Sequence, residues 1–360
     1  MPIPLYILKR LLYSIPTIFL VSVIGFLLMR FKFGTYEIPI PFSAGQTYTL
    51  ELKNPIDPLA DLRHNPAVTF ETLEREKARL GLDKPMHVQY GLWLKHIFRF
   101  DVSALQQGRF WAFFKPDLGI NFNGEDVATM LMLKAGNTFL LNAFVVLATW
   151  LVALPLGVYA ALHWRSFTDR LLTLLSSFGM AAPPFVIALL VGNFVVDTQV
   201  LPFGGIVSAN FDTLTVGEQA LDLASHLIIP VSVLTLAGIA SIQRQMRGNL
   251  LDVLQAEYVR VARAKGLAEH VVIYKHAVRT AINPLITMLG YEFSALLSGS
   301  LIIEQVLNYP GLGQFIYQAL LRSDTNTVMA SLVMSAIMLI IGNLLADILL
   351  KIVDPRIELA

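Results

Sequence analysis

Six stretches of this chain are apolar over enough residues to cross a lipid bilayer, and this constrains its fold more than any other feature. A spanning helix takes roughly 20 mostly apolar residues. In hydrocarbon, only a helix or a closed barrel satisfies its own backbone hydrogen bonds. The stretches run Leu11–Met29, Asn137–Leu162, Leu171–Val196, Leu227–Ile242, Ile282–Ile303 and Met329–Val353, the fourth being short. Composition agrees: 15% of residues are charged, against roughly 25% in soluble domains, and the mean hydropathy is +0.61. The first stretch follows Lys9-Arg10, is too long for a signal peptide's apolar region and lacks a small-residue cleavage site, so it reads as a retained helix. The expectation is an all-α membrane protein with six transmembrane helices.

Orientation follows from Lys and Arg in the short loops. Lys9 and Arg10 precede the first stretch, and Arg165 and Arg170 lie between the second and third. None occurs from Leu171 to Gln243. Then Arg244, Arg247, Arg260, Arg263, Lys265, Lys275 and Arg279 precede the fifth stretch. Only Arg322 separates the fifth from the sixth, whose end carries Lys351 and is followed by Arg356. This alternation puts both termini in the cytoplasm.

Residues 31–134 then fall outside, as an extracytoplasmic insertion between an N-terminal helix (1–30) and a five-helix core (135–360). From Arg30 to Lys134 there are thirteen basic residues and twelve acidic ones, which nearly cancel, and long translocated segments escape the charge rule. Local signals predict a small folded unit. Thr47–Leu52 alternates like a half-buried strand. Phe70 to Leu80 reads as a polar helix with Gly81 as its C-terminal cap. Pro85 can start another helix running to Phe98. The unit either packs on the bundle or contacts a partner.

The stretch Ala256–Leu267, AEYVRVARAKGL, is basic and amphipathic and lies in the cytoplasmic loop 244–280. Leu250, Leu251, Leu254, Tyr258, Val261 and Ala262 form one apolar stripe at helical spacing. Arg260 and Arg263 sit on another face, and Glu257 is placed to pair weakly with Arg260. Gly266 ends the helix through a left-handed cap. Three readings stand: a helix lying on anionic lipid, an ordinary positive-inside loop, or a helix inserted in a partner's groove.

Other chemistry is thinly represented. There are no cysteines, so no disulfide, thiolate nucleophile or cysteine metal site exists. A net charge of +1 argues against nucleic acid as a partner. The sequence holds no G-x-x-x-x-G-K-[ST] phosphate loop and no H-E-x-x-H or G-x-S-x-G. Its seven histidines (64, 87, 96, 163, 226, 270 and 276) show no metal-ligand spacing. No catalytic residue and no metal site is therefore assigned.

Tyr258-Val-Arg-Val-Ala-Arg-Ala-Lys-Gly266 resembles the "EAA" loop of ABC-importer permeases, in the form found in the dipeptide/oligopeptide/nickel subfamily. Leu80-Gly-Leu-Asp-Lys-Pro85 with Gln89-Tyr90, Asp117-Leu-Gly119, Leu201-Pro-Phe-Gly-Gly205, His226-Leu-Ile-Ile-Pro230, Tyr309-Pro-Gly-Leu-Gly313 and Asp354-Pro-Arg-Ile357 match that subfamily in order. Arg260, Val261 and Ala262 stand where the broader pattern has Glu-Ala-Ala. His276-Ala-Val-Arg279 stands where it has Ile-x-Leu-Pro. The first extracytoplasmic region is longer than usual for the subfamily.

The resemblance implies a type I ABC-importer permease fold in a bacterial cytoplasmic membrane. It implies a second homologous permease subunit, two cytoplasmic ATPase subunits that bind the ATP and Mg, and an extracytoplasmic solute-binding protein, with membrane lipid around the spans and no cofactor in this chain. The loop would form a coupling helix seated in an ATPase groove, with Glu257, Tyr258, Arg260, Val261, Ala262, Arg263, Ala264 and Gly266 as its residues. Glu304, Pro310, Gly311 and Gly313 would lie on the binding-protein side, with Glu304 contacting either the binding protein or the outer gate region. The cargo would be peptides or related small solutes: dipeptides, oligopeptides, nickel complexes and glutathione-like solutes all stay open.

Polar and kinking residues in the spans complete the reading. Glu292 is an ionisable group at membrane depth, either on the translocation path or in a bundle contact. Pro183 and Pro184 must disturb the third span and either line the path or are tolerated there. Asp347 lies near the cytoplasmic end of the sixth span, where it can snorkel or pair with a basic residue such as Arg10. Two rival functions are a passive channel and a membrane-embedded enzyme.

Overall fold

The computed structural model describes residues 3–30, 36–39, 47–50, 68–81, 84–99, 116–286, 288, 301–322 and 324–353. The described chain is mainly helical: α1 (Ile3–Arg30), α2 (Phe70–Leu80), α3 (Met86–Ile97), α4 (Val127–Leu162), α5 (Phe167–Ala181), α6 (Pro184–Thr198), α7 (Val216–Leu254), α8 (Glu257–Ala264), α9 (Leu312–Leu321) and α10 (Thr325–Val353). One antiparallel hairpin interrupts it. Strands β1 (Tyr36–Pro39) and β2 (Thr47–Leu50) pair with Tyr36 opposite Leu50, so the expected strand forms.

Among the described residues, four helical segments are long and apolar enough to span a bilayer: Leu5–Leu27 in α1, all of α4, all of α7, and Thr325–Leu345 in α10. The third expected span is not one straight helix. It is α5 and α6, bent by 90°. Pro184 is the first residue of α6, and Ala182 and Pro183 have extended backbone (ψ 119 and 130). A residue before proline is pushed out of the helical region, and proline's missing donor is harmless at a helix start. The fourth span is the largest departure: the run Leu227–Ile242 lies inside a helix of 39 residues. Thr215 and Glu218 close a capping box at its start, and it continues past Arg244 and Arg247. Most of the fifth span, with Glu292, lies outside the described residues, as do Arg356 and Ile357.

The chain forms two compact units. The larger contains residues 1–14, 135–314 and 337–360. In it, Leu141 and Val145 of α4 pack with Ala188 and Val195 of α6 and Leu227, Val233 and Leu234 of α7. A second cluster joins Ala153, Val158 and Ala161 of α4 to Ile242, Met246 and Leu250 of α7 and to Val259 and Ala262 of α8. The Tyr6 hydroxyl donates to Asp347 Oδ2 at 2.6 Å, and Arg10 Nη2 lies 3.6 Å from the same oxygen. Asp347 thus has the basic neighbour expected of it.

The second unit holds residues 15–134 and 315–336. Phe26, Trp93, Ala319, Val328 and Met329 form its apolar core with Tyr90 beside them. Tyr90 stacks on Trp93 and meets Phe26 edge-on, with centroids 5.8 and 5.2 Å apart. Thr69 caps the start of α2. Gly81 supplies its left-handed end and Pro85 precedes α3, both as the sequence predicts. A buried polar knot holds α2. Arg79 Nε donates to Glu76 Oε2 at 2.8 Å and Nη2 to Asn326 Oδ1 at 2.6 Å. Asn326 Nδ2 donates to Ile120 O at 3.1 Å. Asp324 caps α10 through the Thr327 N–H and also accepts the Phe122 N–H. Burial pushes the Asp324 carboxyl above its usual range, against these hydrogen bonds. Helices α2 and α3 are thus held within this unit by Asn326 and by the Phe26–Trp93 cluster.

Candidate functional site

The cytoplasmic loop expected to carry function is built on the end of α7. That helix stops at Leu254, and Ala256 takes an extended conformation (ψ 147) before α8 begins at Glu257. The apolar stripe expected from Leu250 to Ala262 is therefore not one helical face, because the break resets the helical phase. Leu250, Val259 and Ala262 are buried in the core with Met246, Val272 and Ala277. Tyr258 and Val261 face out, 45% and 51% exposed.

The helix thus sorts its residues. At 100° per residue, Val261 is the centre of the outer face, with Glu257, Tyr258, Ala264 and Lys265 around it and Arg260 at its edge. All of these are exposed. Arg263 is set apart. It turns to Glu269, six residues on, with Nη2 to Oε1 at 2.6 Å and Nε to Oε1 at 3.1 Å. The Arg263 guanidinium holds the Glu269 carboxyl below the usual carboxylate range. The two arginines expected to act together are thus in different situations. Among the described residues Arg260 has no ion-pair partner, and Glu257, its expected partner, makes none with it.

Gly266 closes α8 as expected, at φ 75. Its N–H bonds Arg263 O at 2.9 Å and the Leu267 N–H bonds Ala262 O at 3.4 Å, the two bonds of a Schellman motif. The chain returns through a π-helix, Val271–Val278. Val272 and Ala277 are buried there, and Asn249 Nδ2 donates to Ala281 O at 3.0 Å, tying the return to α7.

A second group of expected residues meets elsewhere in the larger unit. Glu304 is fully buried. Its carboxylate accepts the Thr138 hydroxyl at 2.9 Å and the Gln314 N–H at 2.9 Å, while Thr138 Oγ1 accepts the Leu312 N–H at 2.7 Å. Leu312 and Gln314 lie in the first turn of α9, where N–H groups lack helical partners and negative charge is favoured. A Cβ on Gly311 would fall 2.5 Å from Glu304 Oε2, and one on Gly313 2.6 Å from Leu301 Cα. Glu304, Gly311 and Gly313 are thus one packed motif. The Glu304 carboxylate is taken up by Thr138 and the α9 terminus in this structure. Pro310 lies at the edge, its carbonyl accepting from Asn137 Nδ2 at 2.8 Å. The Tyr309 hydroxyl donates to Asn137 O at 2.8 Å. Burial first, and the Glu304 charge second, push that hydroxyl well above its ordinary pKa.

Three stretches that carry the resemblance converge here. The Gly205 N–H bonds Asn308 O at 3.0 Å. Phe203, Gly204, His226, Pro230 and Tyr309 all line one water-sized cavity. Pro183 and Pro184 form the right-angle elbow between α5 and α6. Nothing local in the sequence singles out Thr138, Asn137 or Asp169. Asp169 and Arg247 pair across 78 residues of sequence, and no local pattern links them.

Comparison with known proteins agrees with this architecture. Residues 153–359 match the family described as the binding-protein-dependent transport system inner membrane component. The oligopeptide transport system permease protein AppB of Bacillus subtilis (strain 168) is 32% identical over 354 residues, covering 98% of this chain and 99% of that protein. A putative peptide permease protein of Brucella ovis is 30% identical over 355 residues, 98% of each. A probable peptide ABC transporter permease protein of Sinorhizobium fredii is 30% identical over 356 residues, 98% of this chain and 99% of its own. The chain belongs to the binding-protein-dependent transport system inner membrane component family, as a multi-pass membrane transport subunit.

Proposed function

We propose that this chain is one permease half of an ATP-driven importer for peptides or related small solutes, and that α8 is the helix through which separate ATPase subunits move it. The observation that carries the reading is the division of α8. Val259 and Ala262 anchor it in the core, while Tyr258 and Val261 project with Arg260 beside them. An apolar centre rimmed by charge suits a groove in a protein partner, and the rigid attachment suits transmission of force. The names of the relatives support the cargo class.

In this reading both termini and α8 are cytoplasmic and residues 31–134 are extracytoplasmic. A solute-binding protein delivers cargo from outside, a second homologous permease completes the path, and ATP and Mg are bound by the partner ATPases. Alternating access follows from ATPase closure acting on α8. Glu257, Ala264 and Gly266 then belong to the coupling surface, while Arg263 positions the helix end through Glu269.

The cysteine-free chain makes a direct test available. Single variants Tyr258→Cys, Val261→Cys and Val259→Cys are treated with a thiol cross-linker in the assembled importer. The first two should link to the ATPase subunit and the buried third should not. Arg260→Glu should abolish uptake while leaving membrane insertion intact. No link from positions 258 and 261, in a complex that still imports, overturns the reading. ATP-independent flux through the chain reconstituted alone would favour a passive channel instead.

A further inference from the structure

A coupling helix is useful only if its displacement reaches the membrane helices, and the structure offers a defined route. The inner face of α8 packs on Met246 and Leu250 of α7, so movement of α8 is passed to the end of α7. From there α7 is tied to α5 by three side-chain pairs. Arg247 grips Asp169 with two hydrogen bonds, Nε to Oδ1 at 2.5 Å and Nη2 to Oδ2 at 2.8 Å. Arg244 Nη2 reaches Ser177 Oγ at 3.2 Å. Ser176 Oγ and Gln243 Oε1 lie 2.5 Å apart. Asp169 near the start of α5 meets Arg247, and Ser176 and Ser177 further along α5 meet Gln243 and Arg244 further back in α7, so the rungs join antiparallel helices.

Asp169 is the fixed end of this ladder. Its side chain is 4% exposed. It lies in the first turn of α5, where the helix dipole favours an anion. Its Oδ2 accepts the Arg165 N–H at 3.0 Å, and its own N–H is capped by Ser166 Oγ at 3.1 Å. A two-pronged guanidinium–carboxylate contact resists both sliding and rotation in a way that a single bond does not. Beyond α5 the chain turns 90° at Ala182–Pro183 before α6 begins.

We infer that Asp169 and Arg247 are positioning residues for transport: they clasp α5 to α7, so that α5 moves with α8 as one body while the Pro183 elbow takes up the displacement ahead of α6. This rests on the reading of α8 as the ATPase-coupling helix. The motion proposed is a hinge at an element boundary, and the elbow is the bend the prolines impose.

The test uses the complete importer in proteoliposomes and reads solute imported per ATP hydrolysed. Asp169→Asn and Arg247→Gln should each leave subunit assembly and ATP hydrolysis near wild type and lower uptake per ATP at least tenfold. Arg247→Lys keeps the charge without the fork and should fall between. Should Asp169→Asn fail to fold, Arg247→Lys is decisive alone: unchanged uptake per ATP in a folded protein overturns the clasp. Rescue separates transmission from mere stability. In the Asp169→Asn background, Ser177→Cys with Arg244→Cys, bridged by a short bis-maleimide in place of the arginine side chain, should restore uptake per ATP. Failure of the bridge to restore it, with the link formed, also overturns the clasp. Absence of the Tyr258→Cys link to the ATPase would instead defeat the reading of α8, so the two failures are distinguishable.

Discussion

The carboxylate of Glu304 rests directly against Gly311: a Cβ on that glycine would fall 2.5 Å from Glu304 Oε2. The glycine is there because the carboxylate needs the space to reach the first turn of α9. Gly311→Ala should therefore destabilise by about 1–3 kcal/mol, the usual range for overpacking, seen as a lower unfolding midpoint in detergent. In a Glu304→Ala background the obstruction is gone, so the added cost of Gly311→Ala should shrink. Two neighbours in contact are expected to be non-additive. Equal costs in both backgrounds would show that the glycine answers some other demand.

Arg79 and Glu76 form an ion pair with side chains only 7% and 6% exposed. Removing one partner of such a pair leaves an uncompensated buried charge, at a cost of about 3–5 kcal/mol. Arg79→Met should thus strongly destabilise the second unit, because Glu76 would keep only the Asn326 Nδ2 contact at 3.2 Å. The double variant Glu76→Leu with Arg79→Met removes both charges and should recover much of the loss. Thermal unfolding of both variants against the unsubstituted protein checks this; a double variant no better than Arg79→Met alone contradicts it.

Local signals were legible and distant ones were not. Gly81, Pro85 and Gly266 mark element ends through their own backbone chemistry, and the structure uses each as expected. Hydropathy sees only the apolar middle of α7 and does not give its length. The Thr215-x-x-Glu218 box was the readable sign of its true start. The break at Ala256 carries no glycine or proline, so nothing in the local residues announces it or the change of helical phase that sets the faces of α8. Glu304 could not be placed from sequence, since its partner Thr138 is 166 residues away. Arg263 looked like a docking charge because its pairing with Glu269 runs across the Gly266 turn rather than along a helix.

That pairing sets a pH dependence. The Glu269 carboxyl titrates below its ordinary 4.5, the first cause being its hydrogen bonds with Arg263. A depressed folded-state pKa contributes stability that is present above the unfolded value and lost as pH falls through the folded one. The bracket at the end of α8 should hold at neutral pH and open only on acidification below 4.5. Carboxyl carbon shifts of Glu269 follow the titration. Arg263→Gln should raise the midpoint toward the ordinary value; an unmoved midpoint would mean that the ion pair does not form in solution.

Gly266 separates backbone demand from space. Its φ of 75 lies in the left-handed region, yet a Cβ there would meet nothing within 4 Å. The penalty of Gly266→Ala is then purely conformational, about 1–2 kcal/mol. Asparagine, which visits that region more readily, should cost less than alanine. If the Schellman turn sets the pose of α8, uptake and the yield of the Tyr258→Cys cross-link should both fall in the order Gly, Asn, Ala, with membrane insertion constant. An intact cross-link in Gly266→Ala would mean that Val259 and Ala262 hold α8 in place without the turn, and that the core contact alone fixes the helix against its partner.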